Sequence, residues 1–202
     1  ITLYKNDMGK KKELELIYNG NINEKSLKKI ISFLNKKTKN KTKKNILDSK
    51  LIDDKRLTIE GSNDDNILNK HCEFEAENIK SNKVLPKIYK LEEKYLIPDG
   101  KFIFNPFNCR LNIKIENEID NSIERSNFAE IYSKFKKTYR YKKRLSYDFD
   151  NFRVDITLVK FAEGQNILLS DIDKKSESIE LEIEYTNNIE NLTNEILLEM
   201  LN

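Results

Sequence analysis

Glu180-Leu181-Glu182-Ile183-Glu184-Tyr185 sets three carboxylates in strict alternation with three apolar side chains. Successive side chains of a strand point to opposite faces, so Glu180, Glu182 and Glu184 share one side and Leu181, Ile183 and Tyr185 the other. Glutamate is a poor strand former, and like charges stacked along one face repel. Such a strand needs opposite charge facing it. Few folds supply that, because an open sheet wets its polar face and usually mixes signs there.

The alternation recurs. Glu13-Leu14-Glu15-Leu16-Ile17-Tyr18 repeats the acidic pattern near the start of the chain. Arg140-Tyr141-Lys142-Lys143-Arg144 shows it with positive charge, although Lys143 spoils the apolar face. Arg153-Val154-Asp155-Ile156-Thr157-Leu158 and Arg110-Leu111-Asn112-Ile113-Lys114-Ile115-Glu116 set mixed charges against a continuous apolar face. Any one of these is an ordinary half-solvated strand. The set is not, because one strand is all acid and another all base. Clustered carboxylates hold a hard divalent cation through oxygen. A bank of Arg and Lys holds a polyphosphate, with arginine offering bidentate geometry. Together they describe phosphoryl transfer to water, where positioning and charge neutralisation supply most of the catalysis. A closed antiparallel β-barrel of about eight strands suits this best, since its lumen collects charge from many strands while the apolar faces pack outward under helices.

Composition narrows the chemistry. The 202 residues are 35% charged, against about 25% in ordinary soluble proteins. Lys+Arg number 37 and Asp+Glu 34, for a net charge of +3. A near-zero sum of so many charges argues against a purely basic nucleic-acid surface and permits separate acidic and basic regions. One histidine, His71, and two cysteines, Cys72 and Cys109, exclude a disulfide framework, a four-ligand zinc site and most histidine-centred catalysis. Five glycines leave no glycine-rich phosphate loop. No apolar run is long enough for a transmembrane helix. The chemistry must run on Glu, Asp, Lys and Arg. The chain opens on Ile1 rather than Met and reads as a piece of a longer protein.

Between the charged strands the readings are plainer. Leu27, Ile30, Ile31 and Leu34 have the spacing of one helix face, with Asn23 as N-cap. Residues 36–44 read as a solvated basic loop, with an RNA-backbone contact as the alternative. Arg56-Leu57-Thr58-Ile59-Glu60 reads as a strand stopped by Gly61. Residues 64–72 suit a short helix. Phe74 and Ala76 alternate with Glu73, Glu75 and Glu77, which reads as a solvent-facing strand. Residues 84–97 hold one or two short strands punctuated by Pro86 and Pro98. Phe128, Ile131, Tyr132 and Phe135 predict a helix over 127–137, and a last helix follows Thr193. His71 and Cys109 read as structural. Asp148 and Asp150 flank Phe149 in a hairpin turn. Phe102, Phe104 and Phe107 read as core or rim packing, with base stacking as the alternative. The sum is a mainly β, single domain over 1–202 with a few helices.

The ordered set of an acidic strand, a basic Arg-x-Lys-x-Arg strand, an Arg-x-Asp-x-Thr strand and a second acidic strand resembles the triphosphate tunnel metalloenzymes. Within them it resembles the metal-dependent RNA triphosphatases of fungal and large-DNA-virus mRNA capping systems. The resemblance spans nearly the whole chain. It implies a tunnel-shaped barrel that removes the γ-phosphate from the 5′-triphosphate end of RNA, with Mg2+ or Mn2+ as cofactor. It implies Glu13, Glu15 and Glu184 as metal ligands and Glu182 as the group orienting the attacking water, with Asp155 either sharing that water or holding the groups around it. Lys142 and Arg144 would grip the γ-phosphate, with Arg140 close by. Arg56, Arg110 and Arg153 would bind phosphate, with Arg153 also bracing the acidic wall, joined by one of Lys87, Lys90 and Lys94, of which Lys90 is favoured. Glu116, Glu180 and Thr157 would support these groups. Ile17 departs from the thiamine-triphosphatase-like and adenylate-cyclase-like branch, which has a basic residue there. The resemblance also implies guanylyltransferase and methyltransferase domains of a capping enzyme as partners, no membrane role, and, for a viral member, residence in the host cytoplasm or the virion. Two alternatives share the same walls. One is a catalytically idle module that binds polyphosphate or RNA ends. The other is a tunnel triphosphatase acting on inorganic triphosphate or nucleotides.

Overall fold

The computed structural model describes residues 11–51, 55–62, 65–81 and 85–201. Among these, eight strands close into an antiparallel barrel in the order β1-β5-β4-β3-β2-β6-β7-β8, with β8 returning to β1. The strands are β1 Lys11–Tyr18, β2 Lys41–Lys50, β3 Lys55–Ser62, β4 Tyr89–Phe104, β5 Cys109–Glu118, β6 Lys137–Asp148, β7 Phe152–Gly164 and β8 Glu177–Tyr185. The helices are α1 Glu24–Lys37, α2 Ile67–Ser81, α3 Ser122–Lys134, α4 Leu169–Asp173 and α5 Asn194–Leu201. The closed, mainly β architecture with outer helices is the one the charge alternation predicts.

The apolar faces of the strands turn outward and are covered in two sectors. Leu14 and Leu16 of β1, Leu111 and Ile113 of β5, and Val154 and Ile156 of β7 pack with Leu34 of α1 and Met200 of α5. On the other side, Leu47, Leu57, Ile59, Tyr89 and Leu91 pack under Ile67 and Phe74 of α2 and Phe128 and Tyr132 of α3. Each large side chain buried this way contributes about 1.5–3 kcal/mol. That sum sustains a lumen whose buried charges are costly to desolvate.

Local chemistry sets the helix ends. Asn23 Oδ1 accepts from Ser26 N at 2.9 Å, as a capping residue should. Asn121 Oδ1 accepts from Ile123 N at 2.9 Å and Glu124 N at 3.3 Å. This cap starts α3 at Ser122, earlier than the apolar spacing over 127–137 indicates.

Three readings of the sequence are corrected. Glu73, Glu75 and Glu77 lie on α2, not on a strand. Ile67, His71, Phe74 and Glu75 fall three or four apart on one buried helix face, and burial against Tyr89 and Tyr132 outweighs the two-residue alternation. The basic stretch over 36–44 is not a loop throughout: Lys41 opens β2, whose first four residues are exposed and whose residues Asn45 to Ser49 are all buried. That strand has core on one side and a polar lumen on the other, so no apolar–polar alternation marks it. Residues 89–104 form one long strand rather than short ones. Its pairing with β5 shifts register between Leu96 and Lys101, where Pro98, Asp99 at φ 58° and Gly100 form a bulge. A Cβ on Gly100 would lie 2.8 Å from the Ile113 carbonyl oxygen, so the bulge requires glycine there. Asp64 and Val84, where two of the expected elements begin, lie outside the described residues.

The pairing also defines the ends of the barrel. Lys41 lies opposite Tyr147, and Asp148 opposite Arg153. The start of β2, the β6–β7 turn and the end of β8 therefore share one rim.

Candidate active site

Inside the barrel lies a cavity of about 600 Å³. Eight carboxylates and ten Lys or Arg side chains line it; four of the acids lie on the paired strands β1 and β8, three of the bases lie on β6, and β3, β4 and β5 mix both signs.

The acidic wall is formed by the neighbouring strands β1 and β8. Glu15 lies opposite Glu184 and Ile17 opposite Glu182. Glu15 accepts from Lys94 Nζ at 3.1 Å and also from Lys114 Nζ. Burial opposes its charge, but Lys94 and Lys114 outweigh it and hold its pKa below the ordinary value. Glu13 accepts from Lys11 Nζ at 3.2 Å and is bound by Lys94. Glu182 and Glu184 behave oppositely. Burial pushes the Glu182 carboxyl up, and the charge of Glu15 adds to it against a partial offset from Arg144. Burial likewise pushes Glu184 up, offset only in part by Arg153. Glu15 of β1 is thus held ionised while Glu182 and Glu184 of β8 are pushed toward the neutral form.

The basic wall is β6. Lys142 is buried and bound to Asp48 of β2. Burial, reinforced by the charges of Arg140, Arg56 and Arg144, outweighs Asp48 and brings the Lys142 pKa down to about 8. Arg144 reaches Asp155 Oδ2 at 3.1 Å and Glu182 Oε2 at 3.4 Å, and its Nε donates to Thr157 Oγ1 at 3.2 Å. Asp155 also accepts from Arg153 Nε at 3.0 Å, and Arg153 Nη2 reaches Glu184 Oε2 at 2.5 Å. A continuous run of ion pairs therefore leads from Glu182 through Arg144, Asp155 and Arg153 to Glu184. Arg140 Nη2 donates to both Glu180 oxygens at 2.6 Å.

A third wall joins β3, β4 and β5. Arg56 Nε and Lys90 Nζ each lie 2.6 Å from Glu92, and Lys90 Nζ lies 3.4 Å from Glu116. Burial opposes the charge of Glu116, but a hydrogen bond with Glu13 and the ammonium groups of Lys94, Lys90 and Lys11 pull its pKa to about 2.

The cavity brings together Glu13, Glu15, Glu182, Glu184, Arg56, Lys90, Glu116, Arg140, Lys142, Arg144 and Arg153. Lys94 lines it too, and is more deeply enclosed than Lys90; Lys87 does not line it. One residue sits differently from what the resemblance implies, and two take the supporting places it allows. Arg110 lies at the first turn of β5, away from the cavity, and binds Asn19 Oδ1. Asn112 takes the level opposite Glu15 instead. Asp155 is 1% exposed and sits behind Arg144 and Arg153, so it holds those guanidiniums rather than facing the cavity. Thr157 is fully buried and touches the cavity only through Arg144.

Reading the sequence missed Asp48, Glu92 and Lys114. Asp48 lies just beyond the basic stretch over 36–44, in a run given no strand reading, although it stands two residues from Ile46 on the inner face. Lys114 stands two before Glu116 on an alternating strand, so strand parity alone would have pointed to it.

Among the described residues, no three His, Cys, Asp or Glu side chains converge closely enough, as placed, to hold a metal ion. The donor set itself fits a hard divalent cation. Glu13 and Glu15 share the inner face of β1, Glu184 faces Glu15, and all three offer only carboxylate oxygens. In this arrangement they are turned onto Lys94, Lys114 and Arg153.

The family comparison decides what these walls serve. The mRNA triphosphatase family model, described as the mRNA capping enzyme beta chain, matches residues 6–197. The chain belongs to that family. The protein is an RNA 5′-triphosphatase, a phosphohydrolase of mRNA capping. Two solved structures agree on the fold. The RNA triphosphatase domain of a trifunctional mimivirus mRNA capping enzyme is 19% identical, with a TM-score of 0.63 over 94% of this chain and 88% of that one. A monoclinic form of the mimivirus capping enzyme triphosphatase is 20% identical, with a TM-score of 0.64 over 94% and 87%. The S. pombe RNA triphosphatase Pct1 is 13% identical, with a TM-score of 0.49 over 89% and 72%. A search of curated proteins found no match to the triphosphatase.

Proposed function

We propose that the triphosphatase binds the 5′-triphosphate end of nascent RNA along the β6 wall and cleaves the γ-phosphate by in-line attack of water, leaving a 5′-diphosphate for guanylyl transfer. The observation that carries this reading is the sorting of the lumen. Carboxylates of β1 and β8 form one side, and Arg140, Lys142 and Arg144 form the other.

Lys142 and Arg144 donate to the γ-phosphate, and Arg56 and Lys90 extend the cationic surface toward the rest of the chain of phosphates. Glu182 takes the proton of the attacking water. Its carboxyl is pushed up by burial, which brings it nearer the operating pH of a general base. Arg144 touches Glu182 directly, so the same guanidinium aligns base and phosphate. Asp155 is a positioning residue that fixes Arg144 and Arg153 from behind.

Glu13, Glu15 and Glu184 would hold a divalent cation, magnesium or manganese. Once bound, such a cation neutralises charge on the γ-phosphate. Lys94 and Lys114 now balance those carboxylates, and both are free to turn onto phosphate oxygens when the acids are otherwise engaged. The charged walls accept a free nucleoside triphosphate or inorganic triphosphate on the same terms, so these are side substrates.

The reading extends to context. The triphosphatase works beside guanylyltransferase and methyltransferase activities of a capping enzyme, inside the cell, and for a viral protein in the host cytoplasm or the virion. The test is product analysis on RNA labelled at the γ-phosphate. Release of inorganic phosphate with a 5′-diphosphate end supports the reading; pyrophosphate release, or none from folded protein in any divalent metal, overturns it.

A further inference from the structure

Charge is segregated outside the barrel as well as inside it. Residues 24–44 hold nine lysines and one acid, a net charge of +8, whereas the whole chain carries +3, so the other residues carry −5. All of these basic side chains are lysines. The segment folds as α1 followed by the opening of β2. Leu27, Ile30, Ile31 and Leu34 turn α1 onto the barrel, which leaves Lys25, Lys29 and Lys36 along its outer face. Lys39, Lys41 and Lys43 continue the line, all exposed. Among the described residues, no carboxylate pairs with Lys29, Lys36, Lys39, Lys41 or Lys43.

This ridge runs onto the rim of the cavity. Thr38 Oγ1 donates to the Asp148 carbonyl oxygen at 3.2 Å, and Asp148 N donates to the Asn40 oxygen at 3.0 Å. Asp148 pairs with Arg153, whose guanidinium lines the cavity. Lys44 lies opposite Arg144 and sits 3.1 Å from Glu60, two more lining residues. On the same outer face of α1 stands Phe33, 56% exposed, with Lys37 Nζ 5.4 Å from its ring centre. More than half of a large apolar ring is thus left in water amid lysines.

We propose that this ridge binds the single-stranded RNA body that trails from the triphosphate end, with lysines on successive phosphates and Phe33 stacked on a base. The inference rests on the triphosphatase reading for the direction of the strand, from rim to ridge. Lysines are point charges without base-reading geometry, so contact is to the backbone and independent of sequence. Aromatic stacking adds affinity and is equally tolerant of base identity. An acidic protein segment would also be attracted, but it gives no reason for an exposed ring or for continuity with a phosphate-binding lumen.

The experiment compares the wild type with a variant carrying Lys36→Gln, Lys39→Gln, Lys41→Gln and Lys43→Gln, none of which lines the cavity. Substrates are inorganic triphosphate and a 5′-triphosphate RNA of about 20 nucleotides, and binding of the same RNA with a 5′-hydroxyl is measured separately. The variant should bind 5′-hydroxyl RNA about tenfold or more weaker at low salt. Its log–log salt dependence should flatten by up to about 3, from roughly 0.7 per neutralised phosphate contact. KM for triphosphate RNA should rise in step, while turnover of inorganic triphosphate stays unchanged. Phe33→Ala should weaken RNA binding without changing the salt slope.

Equal effects on both triphosphate substrates, or none on RNA binding, overturn the ridge proposal. Binding of polyglutamate as tight as RNA of equal charge also overturns it, in favour of an acidic protein partner. If the wild type hydrolyses neither substrate, the activity reading fails, yet 5′-hydroxyl RNA binding still decides the ridge.

Discussion

Glu15 and Glu184 stand directly opposite each other in the β1–β8 ladder, yet their surroundings drive them in opposite directions. Lys94 and Lys114 overcome burial at Glu15 and hold it ionised. At Glu184 burial prevails over Arg153 and favours the neutral form. The two carboxylates that would share a cation between these strands are thus prepared unequally, one against lysines and one against Arg153.

Glu15→Gln and Glu184→Gln should each lower the turnover of triphosphate RNA by about a hundredfold or more, the scale of removing one transition-state charge contact. Their effects on folding should differ. Glu15→Gln takes the carboxylate from Lys114 and one of two from Lys94, and should cost about 1–2 kcal/mol. Glu184→Gln relieves cross-strand repulsion and should leave the metal-free protein unchanged or stabilise it by about 0.5 kcal/mol. Urea unfolding of both variants in chelator checks this; equal destabilisation contradicts it.

The raised carboxyls of Glu182 and Glu184 also give a signed pH effect. A carboxyl whose folded pKa lies above 4.5 contributes stability that is complete below that value and fades as pH rises through the folded value. Unfolding midpoints of the metal-free wild type and Glu184→Gln should therefore diverge above pH 4.5, with the variant gaining relative to the wild type. Parallel curves would remove the electrostatic basis for this acidic strand.

Lys142 should set an alkaline limit on substrate binding. With its pKa near 8 in the free protein, affinity for a non-hydrolysable triphosphate should fall as pH rises past that value. Lys142→Arg should abolish this fall, because a guanidinium stays charged throughout. A binding profile with the same alkaline limb in both proteins contradicts the assignment.

Glu75 belongs to the fold and not to the reaction. It is 3% exposed, accepts from Tyr139 Oη at 2.5 Å and from Ile167 N at 2.8 Å, and lies 3.5 Å from the buried Lys137. Glu75→Ala should cost about 3 kcal/mol, the scale of breaking a buried charged pair. Its kcat, corrected for folded fraction, should stay within about twofold of wild type. A thermal melt and an active-site titration separate the two effects.

Much of this was legible in the chain because strand parity is rigid. Glu13, Glu15, Glu182 and Glu184, like Arg140, Lys142 and Arg144, could face only one way once each run was read as a strand. The closed barrel followed from the need to set those signs against each other. Elements without alternation stayed hidden. Asn45, Asp48 and Ser49 of β2 are polar and buried, since one face meets the lumen and the other meets Tyr132. Glu73, Glu75 and Glu77 alternate by chance on a helix whose packing is set by Ile67, His71 and Phe74. Arg110 has lumen parity but the wrong height, and height along a barrel depends on stagger between strands, which no single strand records.

The central claim is tested most directly by following phosphate release from γ-labelled 5′-triphosphate RNA in magnesium or manganese, with and without excess chelator. The wild type should release inorganic phosphate and leave a 5′-diphosphate end. Chelator should stop the reaction, and Glu15→Gln should be inactive in both conditions while still binding RNA. Undiminished release in chelator, or near wild-type rates from Glu15→Gln, would contradict the account of the lumen as a carboxylate-held cation facing a phosphate-gripping wall.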